Sequence, residues 1–194
     1  MGLVKDRTLC VNSMPTEIIS KFDAATRQLD TAITLWFLDG DPVSIHTLAC
    51  SAYQIIHDIN QQKGWRDLLY DSLIIKDEFR DDAKRLLKCH YNYFKHSEKD
   101  PDGTIEFNPS ITEIYILFSL FGLELFGIKH NEIRGAFIIW HAIHNNPNRL
   151  TEKGKKQYIE NISPDNISKI RNSSRNDFFH SYTLFKRQFK SEDR

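Results

Sequence analysis

Two stretches of this chain concentrate side chains that can do chemistry. One is Asn92-Tyr-Phe-Lys-His96 and the other is Arg175-Asn-Asp-Phe-Phe-His180. Asn92 and His96, like Asn176 and His180, are four residues apart, so a helix sets an amide and an imidazole one turn apart on one face. The amide can orient a phosphate or a ribose hydroxyl, and the histidine can move a proton near neutral pH. Lys95 or Arg175 beside them would stabilise charge developing on a phosphorane. These are the parts of metal-independent RNA cleavage. The plainer reading of the first stretch is a helix end whose Lys95 and His96 answer the macrodipole. For the second it is the polar face of a terminal helix.

The other histidines offer less. His46 and His57 face the same way on a helix but about 16 Å apart, too far to share a metal ion. They either line a groove with Tyr53 or edge a packed face. His141 and His144 have the spacing of a helical metal pair, yet no Glu-x-x-His occurs and the only acid of their helix, Glu132, is at its start, so no metal site is expected. The His57-Asp58 dipeptide alone is weak support for a metal phosphohydrolase. No cofactor is expected either: the glycines are scattered, with no phosphate-cradling loop, no GxSxG, and no cysteine with a nucleophile's neighbours.

The elements that must hold these residues are helical. Apolar residues recur at three-to-four spacing from Pro15 to Leu38 (Ile18, Ile19, Phe22, Ala25, Leu29, Ala32, Ile33, Trp36), and Gly40 stops that helix. Asp41-Pro42 opens a second helix that runs to about Gln62. A short piece at residues 65–75 precedes a third helix, about Lys76 to His96, with Phe79, Ala83, Leu86, Leu87, His90, Tyr93 and Phe94 inside. Asn108-Pro109 repeats the opening device before a fourth, Ser110 to about Phe126. That helix is apolar nearly all round, so the others should pack around it and Leu117 and Phe121 should be core. A fifth covers about Asn131 to Asn145 and stops at Asn146-Pro147. Ser163-Pro164 opens a last one. It keeps the helical period through Ile167, Ile170, Ser174, Phe178, Tyr182, Phe185 and Phe189. The fold class is all-α, an antiparallel bundle of five or six helices in a single domain over residues 1–194. Its core covers about 15–147, and a helical addition covers about 163–190.

The bulk numbers exclude several classes. Lys plus Arg and Asp plus Glu both total 26, so no global field draws the chain to nucleic acid or anionic lipid. A local basic patch remains at Lys169, Arg171, Arg175, Lys186, Arg187 and Lys190. The greasiest run, Ile114 to Ile128, is too short to span a membrane and carries Glu124. Cys10, Cys50 and Cys89 have no paired spacing, which points to a reducing, cytoplasmic setting without disulfides. The charged start, Met-Gly-Leu-Val-Lys-Asp-Arg, is unlike a secretory leader.

The phrase Asn92-Tyr-Phe-Lys-His-Ser-Glu-Lys-Asp-Pro-Asp102, with Asp41-Pro-Val-Ser-Ile-His-Thr-Leu-Ala49 upstream, resembles a widespread bacterial family of small uncharacterised proteins. There the phrase runs Asn-Phe-Phe-Lys-His-Ala-Asp-Arg-Asp-Pro. The resemblance covers roughly residues 16–147 and implies no mechanism. Separately, Arg175-Asn176-x-x-x-His180 is similar to the Arg-polar-x-x-x-His signature of the HEPN superfamily, all-α and usually dimeric domains that include many metal-independent ribonucleases. Arg85/His90 and Arg134/His141 have comparable spacing, but only Arg175 is followed directly by a polar residue. This resemblance implies an endoribonuclease or RNA-binding protein of a toxin–antitoxin or phage-defence system. It also implies a homodimer, an antitoxin-like partner, and Arg175, Asn176 and His180 as site residues, with Asn92, Lys95 and His96 as a degenerate second set. The competing expectation is a non-enzymatic ligand- or protein-binding bundle, and the third is a metal-dependent hydrolase. Five residues turn a helix by about 140°, so Arg175 and His180 cannot share a face of one straight helix. They must meet across a symmetric interface or be separated by a break near residues 172–174.

Overall fold

The computed structural model of the chain describes residues 16–64, 68, 69, 76–98, 100–145 and 152–192. The expected lead-in over residues 1–13, most of the piece at 65–75, the Asn146-Pro147 stop and Cys10 lie outside the described residues, as do the side chains of Arg187, Phe189 and Lys190. The described chain is all-α: α1 (Lys21–Phe37), α2 (Pro42–Gln62), α3 (Arg80–Lys95), α4 (Ile111–Leu125), α5 (Glu132–His144), α6 (Glu152–Tyr158), α7 (Pro164–Asn172) and α8 (Arg175–Glu192). A 3₁₀ turn, Asp77–Phe79, leads into α3. No strand occurs among the described residues, including residues 104–107. None of the described helices is long and apolar enough to cross a membrane.

Local chemistry accounts for most helix ends. α1 begins later than its apolar pattern suggests because Ser20 and Asp23 form a capping box. The Ser20 hydroxyl accepts from the Asp23 N–H at 3.0 Å, and the Asp23 carboxylate accepts from the Ser20 N–H at 3.1 Å. Ile18 and Ile19 therefore lie outside the helix and are exposed. At the other end the left-handed residue is Asp39 (φ 51°), one place before Gly40. The Gly40 N–H reaches back to the Leu35 carbonyl at 2.8 Å, which is the long bond of a Schellman turn. Asp41 caps α2 by accepting from the Ser44 N–H at 2.7 Å, with Pro42 at the first position. At Asn108-Pro109 the same device is displaced. Asn108 Oδ1 accepts from the Ser110 N–H at 3.0 Å, and α4 begins at Ile111, after that turn.

The central helix is α2, not α4. α2 packs against α1, α3 and α4, whereas α4 packs mainly on α2 with a smaller contact to α1. One side of α4 is left open, and Ile114, Phe121 (47% exposed) and Leu125 lie on it. Apolar composition all round thus overstated how much of α4 is covered. α2 and α4 approach closely at Gly122, where an added Cβ would sit closer to Ile56 Cγ2 than real Cβ atoms come. α3 is peripheral. Of its residues only Tyr91 is buried; Phe79 and Leu86, expected inside, are exposed, and Ala83, Leu87, His90, Tyr93 and Phe94 are half-buried.

α5 is tied to α1 by a buried ion pair. Arg134 Nε and Nη2 donate to the two Asp30 carboxylate oxygens at 2.7 and 3.0 Å, and the Asn131 amide adds a bond to Asp30 at 2.7 Å. The helix expected from Ser163 is broken in two. α7 ends at Asn172, and Ser174 restarts the chain by accepting from the Asp177 N–H at 3.1 Å while donating to its carboxylate at 2.7 Å. Phe178 then joins the main core, and Phe179 stacks on Phe37 with ring centres 4.6 Å apart. This aromatic contact seats the start of α8 against the end of α1.

Candidate functional site

Three stretches far apart in sequence, residues 36–45, 109–113 and 175, line a half-open cavity of about 260 Å³. The end of α1 and its Schellman turn contribute Trp36, Asp39 and Gly40. The first turn of α2 contributes Pro42 and Ile45. Residues 109–113, entering α4, add Pro109, Ser110, Thr112 and Glu113, and α8 adds its first residue, Arg175. Each segment is held by a device already described: the left-handed Asp39, the Asp41 cap, the Asn108 turn, and the Ser174 restart.

Arg175 is the best-positioned cation at this cavity. Its guanidinium lies over the Trp36 ring, 4.6 Å from the centroid, and Nη2 is ion-paired with the Asp39 carboxylate. Stacking and pairing together fix the plane of the guanidinium fork. Glu113 is the opposing charge, its side chain 29% exposed. The nearest cationic candidate, His141 Nδ1, is 3.5 Å from Glu113 Oε2, beyond ordinary hydrogen-bond range. The same Nδ1 lies 3.0 Å from the Asn145 amide nitrogen. The His141 ring also stacks parallel to Phe137.

Behind Thr112 lies a buried polar knot. His46 is fully buried, with Nδ1 2.9 Å from the Thr112 hydroxyl and Nε2 3.4 Å from Cys50 Sγ. His90, Phe94, Phe107 and Tyr115 contact the ring edge-to-face. Burial, with a smaller contribution from His90, lowers the His46 pKa to about 4. Burial likewise pushes the Cys50 thiol well up, so it stays protonated. Tyr53 is fully buried and His57 nearly so. The groove expected of His46, Tyr53 and His57 is therefore a piece of core, and His46 is a neutral hydrogen-bonding group rather than a proton-transfer residue. His57 Nδ1 does reach the adjacent Asp58 carboxylate, at 3.3 Å.

The structure does not merge the two sequence-predicted stretches. Asn92, Lys95 and His96 close α3 and are exposed. Lys95 Nζ donates to the Tyr91 hydroxyl at 3.1 Å and lies over that ring, and His96 is the C-cap residue. Asn176 and His180 are exposed on α8, while Arg175 turns into the cavity. The break at residues 172–174 falls before both Arg175 and His180, so it does not separate them, and within one chain the pair stays on one helix. His141 and His144 diverge: His144 Nδ1 lies 3.0 Å from the Trp140 carbonyl oxygen and its ring stacks on that indole. No cluster of metal-ligating side chains occurs among the described residues.

Sequence reasoning missed Trp36, Asp39 and Glu113 as site residues. The Asp39-Gly-Asp-Pro42 turn marks where two helices meet, but nothing local ties Asp39 to Arg175, which is 136 residues away. No family model matches the chain, and none of the curated proteins or solved structures compared with it matches either.

Proposed function

We propose that this chain is a helical ligand-binding domain whose site is the cavity between the end of α1 and the starts of α2, α4 and α8. The observation that carries this reading is the convergence of a stacked, paired guanidinium and a half-buried carboxylate on one cavity that also has apolar residues, Trp36, Pro42, Ile45 and Pro109, in its lining. Small-molecule sites likewise combine apolar surface with placed polar groups that fix orientation. The test is a fragment screen read by amide chemical shifts. Binding should move the amides at 39–45, 111–113 and 175 together. Ser110→Trp, an exposed position at the rim that fills the cavity, should abolish those shifts. A screen without hits at these amides, or hits unchanged by Ser110→Trp, removes the reading.

A second reading, HEPN-like metal-independent RNA cleavage or binding, is supported by the exposure of Asn176 and His180 one helical turn apart on α8, beside Arg175. It requires a homodimer, because only a second copy can bring an Arg175 to a His180. On this reading RNA cleavage persists in EDTA and is lost in His180→Ala without a shift in melting temperature, and light scattering shows twice the 22.8 kDa chain mass. His96→Ala tests the Asn92, Lys95 and His96 set in the same assay. Loss of activity in EDTA would point instead to a metal-dependent hydrolase. The absence of cleavage, or a monomer at tens of micromolar, leaves the cavity reading alone.

A further inference from the structure

We infer that the ligand of this cavity is a small zwitterion of the α-amino-acid type, its carboxylate held by Arg175 and its ammonium by Glu113. This inference rests on the cavity being the site.

Arg175 commits Nη2 to Asp39 and one face to Trp36. A guanidinium carries five N–H donors in a planar fork, so donors remain that suit a ligand carboxylate. Glu113 is in the converse position. Its nearest cationic group, His141 Nδ1, lies 3.5 Å from Oε2, a long ion-pair contact. A carboxylate offers about four lone-pair sites, so that one contact leaves acceptor capacity on Glu113. The Glu113 carboxylate therefore lines the cavity with room to accept from a ligand ammonium.

The alternatives fit less well. A dicarboxylate or phosphate would meet Asp39 and Glu113 as like charges. A simple amine would answer Glu113 but leave the remaining Arg175 donors unused. A neutral guest would desolvate Glu113 without compensation, which is costly. A zwitterion answers both groups at once and leaves its side chain against Trp36, Pro42, Ile45 and Pro109. The volume, about 260 Å³, falls just below the range of drug-sized pockets and suits a ligand of about ten heavy atoms.

The experiment is calorimetric titration of the full chain with glycine, alanine, valine, leucine, isoleucine, methionine and phenylalanine. For leucine the titration is repeated with 4-methylpentanoate, which lacks the ammonium, and 3-methylbutylamine, which lacks the carboxylate. At least one amino acid should bind, and each leucine analogue should bind about tenfold or more weaker than leucine, the expected loss of a charge-assisted contact. Glu113→Gln, a partly exposed substitution that alters little packing, should reduce leucine to the affinity of 4-methylpentanoate. Arg175→Gln should reduce it to that of the amine. Arg175→Lys keeps a cation without the fork and should fall between, which separates charge loss from misfolding. If either analogue binds as tightly as leucine, or Glu113→Gln leaves leucine binding unchanged, the zwitterion assignment is wrong. If no amino acid binds while the fragment screen still marks the cavity, the assignment fails and the site stands. If the fragments fail too, the site itself is wrong.

Discussion

His46 should make this protein acid-sensitive in a window that the structure defines. The imidazole is fully buried, and its two nitrogens face the Thr112 hydroxyl and the Cys50 thiol, neither of them an anion. Nothing nearby stabilises an imidazolium, and a charged His90, with ring centres 6.1 Å apart, would oppose it. The folded state therefore binds this proton near pH 4 and the unfolded chain near 6.5. Because the folded-state value is depressed, the stabilisation is fully present above pH 6.5 and is lost as pH falls from 6.5 toward 4. The loss runs at about 1.4 kcal/mol per pH unit and totals about 3 kcal/mol. Chemical denaturation at pH 7.5, 6.5, 5.5 and 4.5 should show it directly. His46→Gln keeps a neutral hydrogen-bonding side chain, so it should lower stability at pH 7.5 yet flatten the slope between 6.5 and 4.5. The difference between the two curves isolates His46 together with its repulsion by His90. Parallel pH curves for the two proteins would refute the reasoning, since they would mean that His46 protonates equally in the folded and unfolded states.

Two packing predictions follow from the α2–α4 interface. Gly122→Ala pushes a methyl group into Ile56 and should cost about 1–3 kcal/mol by denaturant midpoint. Adding Ile56→Ala should recover part of that, so a fully additive double variant would count against the contact. Phe121→Asp should stay folded by circular dichroism with a small change in melting temperature, because Phe121 is half exposed, whereas Leu120→Asp places an unpaired carboxylate in a fully buried site and should unfold the chain. Equal behaviour of the two aspartates would overturn the assignment of the open face of α4.

Helix identity and several helix ends were legible because they depend on nearby residues. The three-to-four spacing, Asp41-Pro42 and Ser163-Pro164 each act within a turn or two, and α2, α5 and the start of α7 lie where those signals place them. The capping box at Ser20 and the Ser174 restart are equally local, each set by a hydroxyl three residues before the N–H it accepts from. Which apolar face becomes core is a different kind of quantity. Leu86 and Phe121 are as hydrophobic as Leu87 and Leu120, and only the placement of neighbouring helices leaves the first two exposed. The candidate site belongs to the same class. Arg175 was singled out for its spacing to His180, but its closest partners are Trp36 and Asp39. Those contacts arise when Phe178 and Phe179 dock on α1 and α5, and α1 ends in a left-handed Asp39. Capping and periodicity are set by interactions along one stretch of chain. Burial and the cavity at Arg175 depend on how distant elements compete for the same apolar surface, and that competition is resolved only in the packed fold.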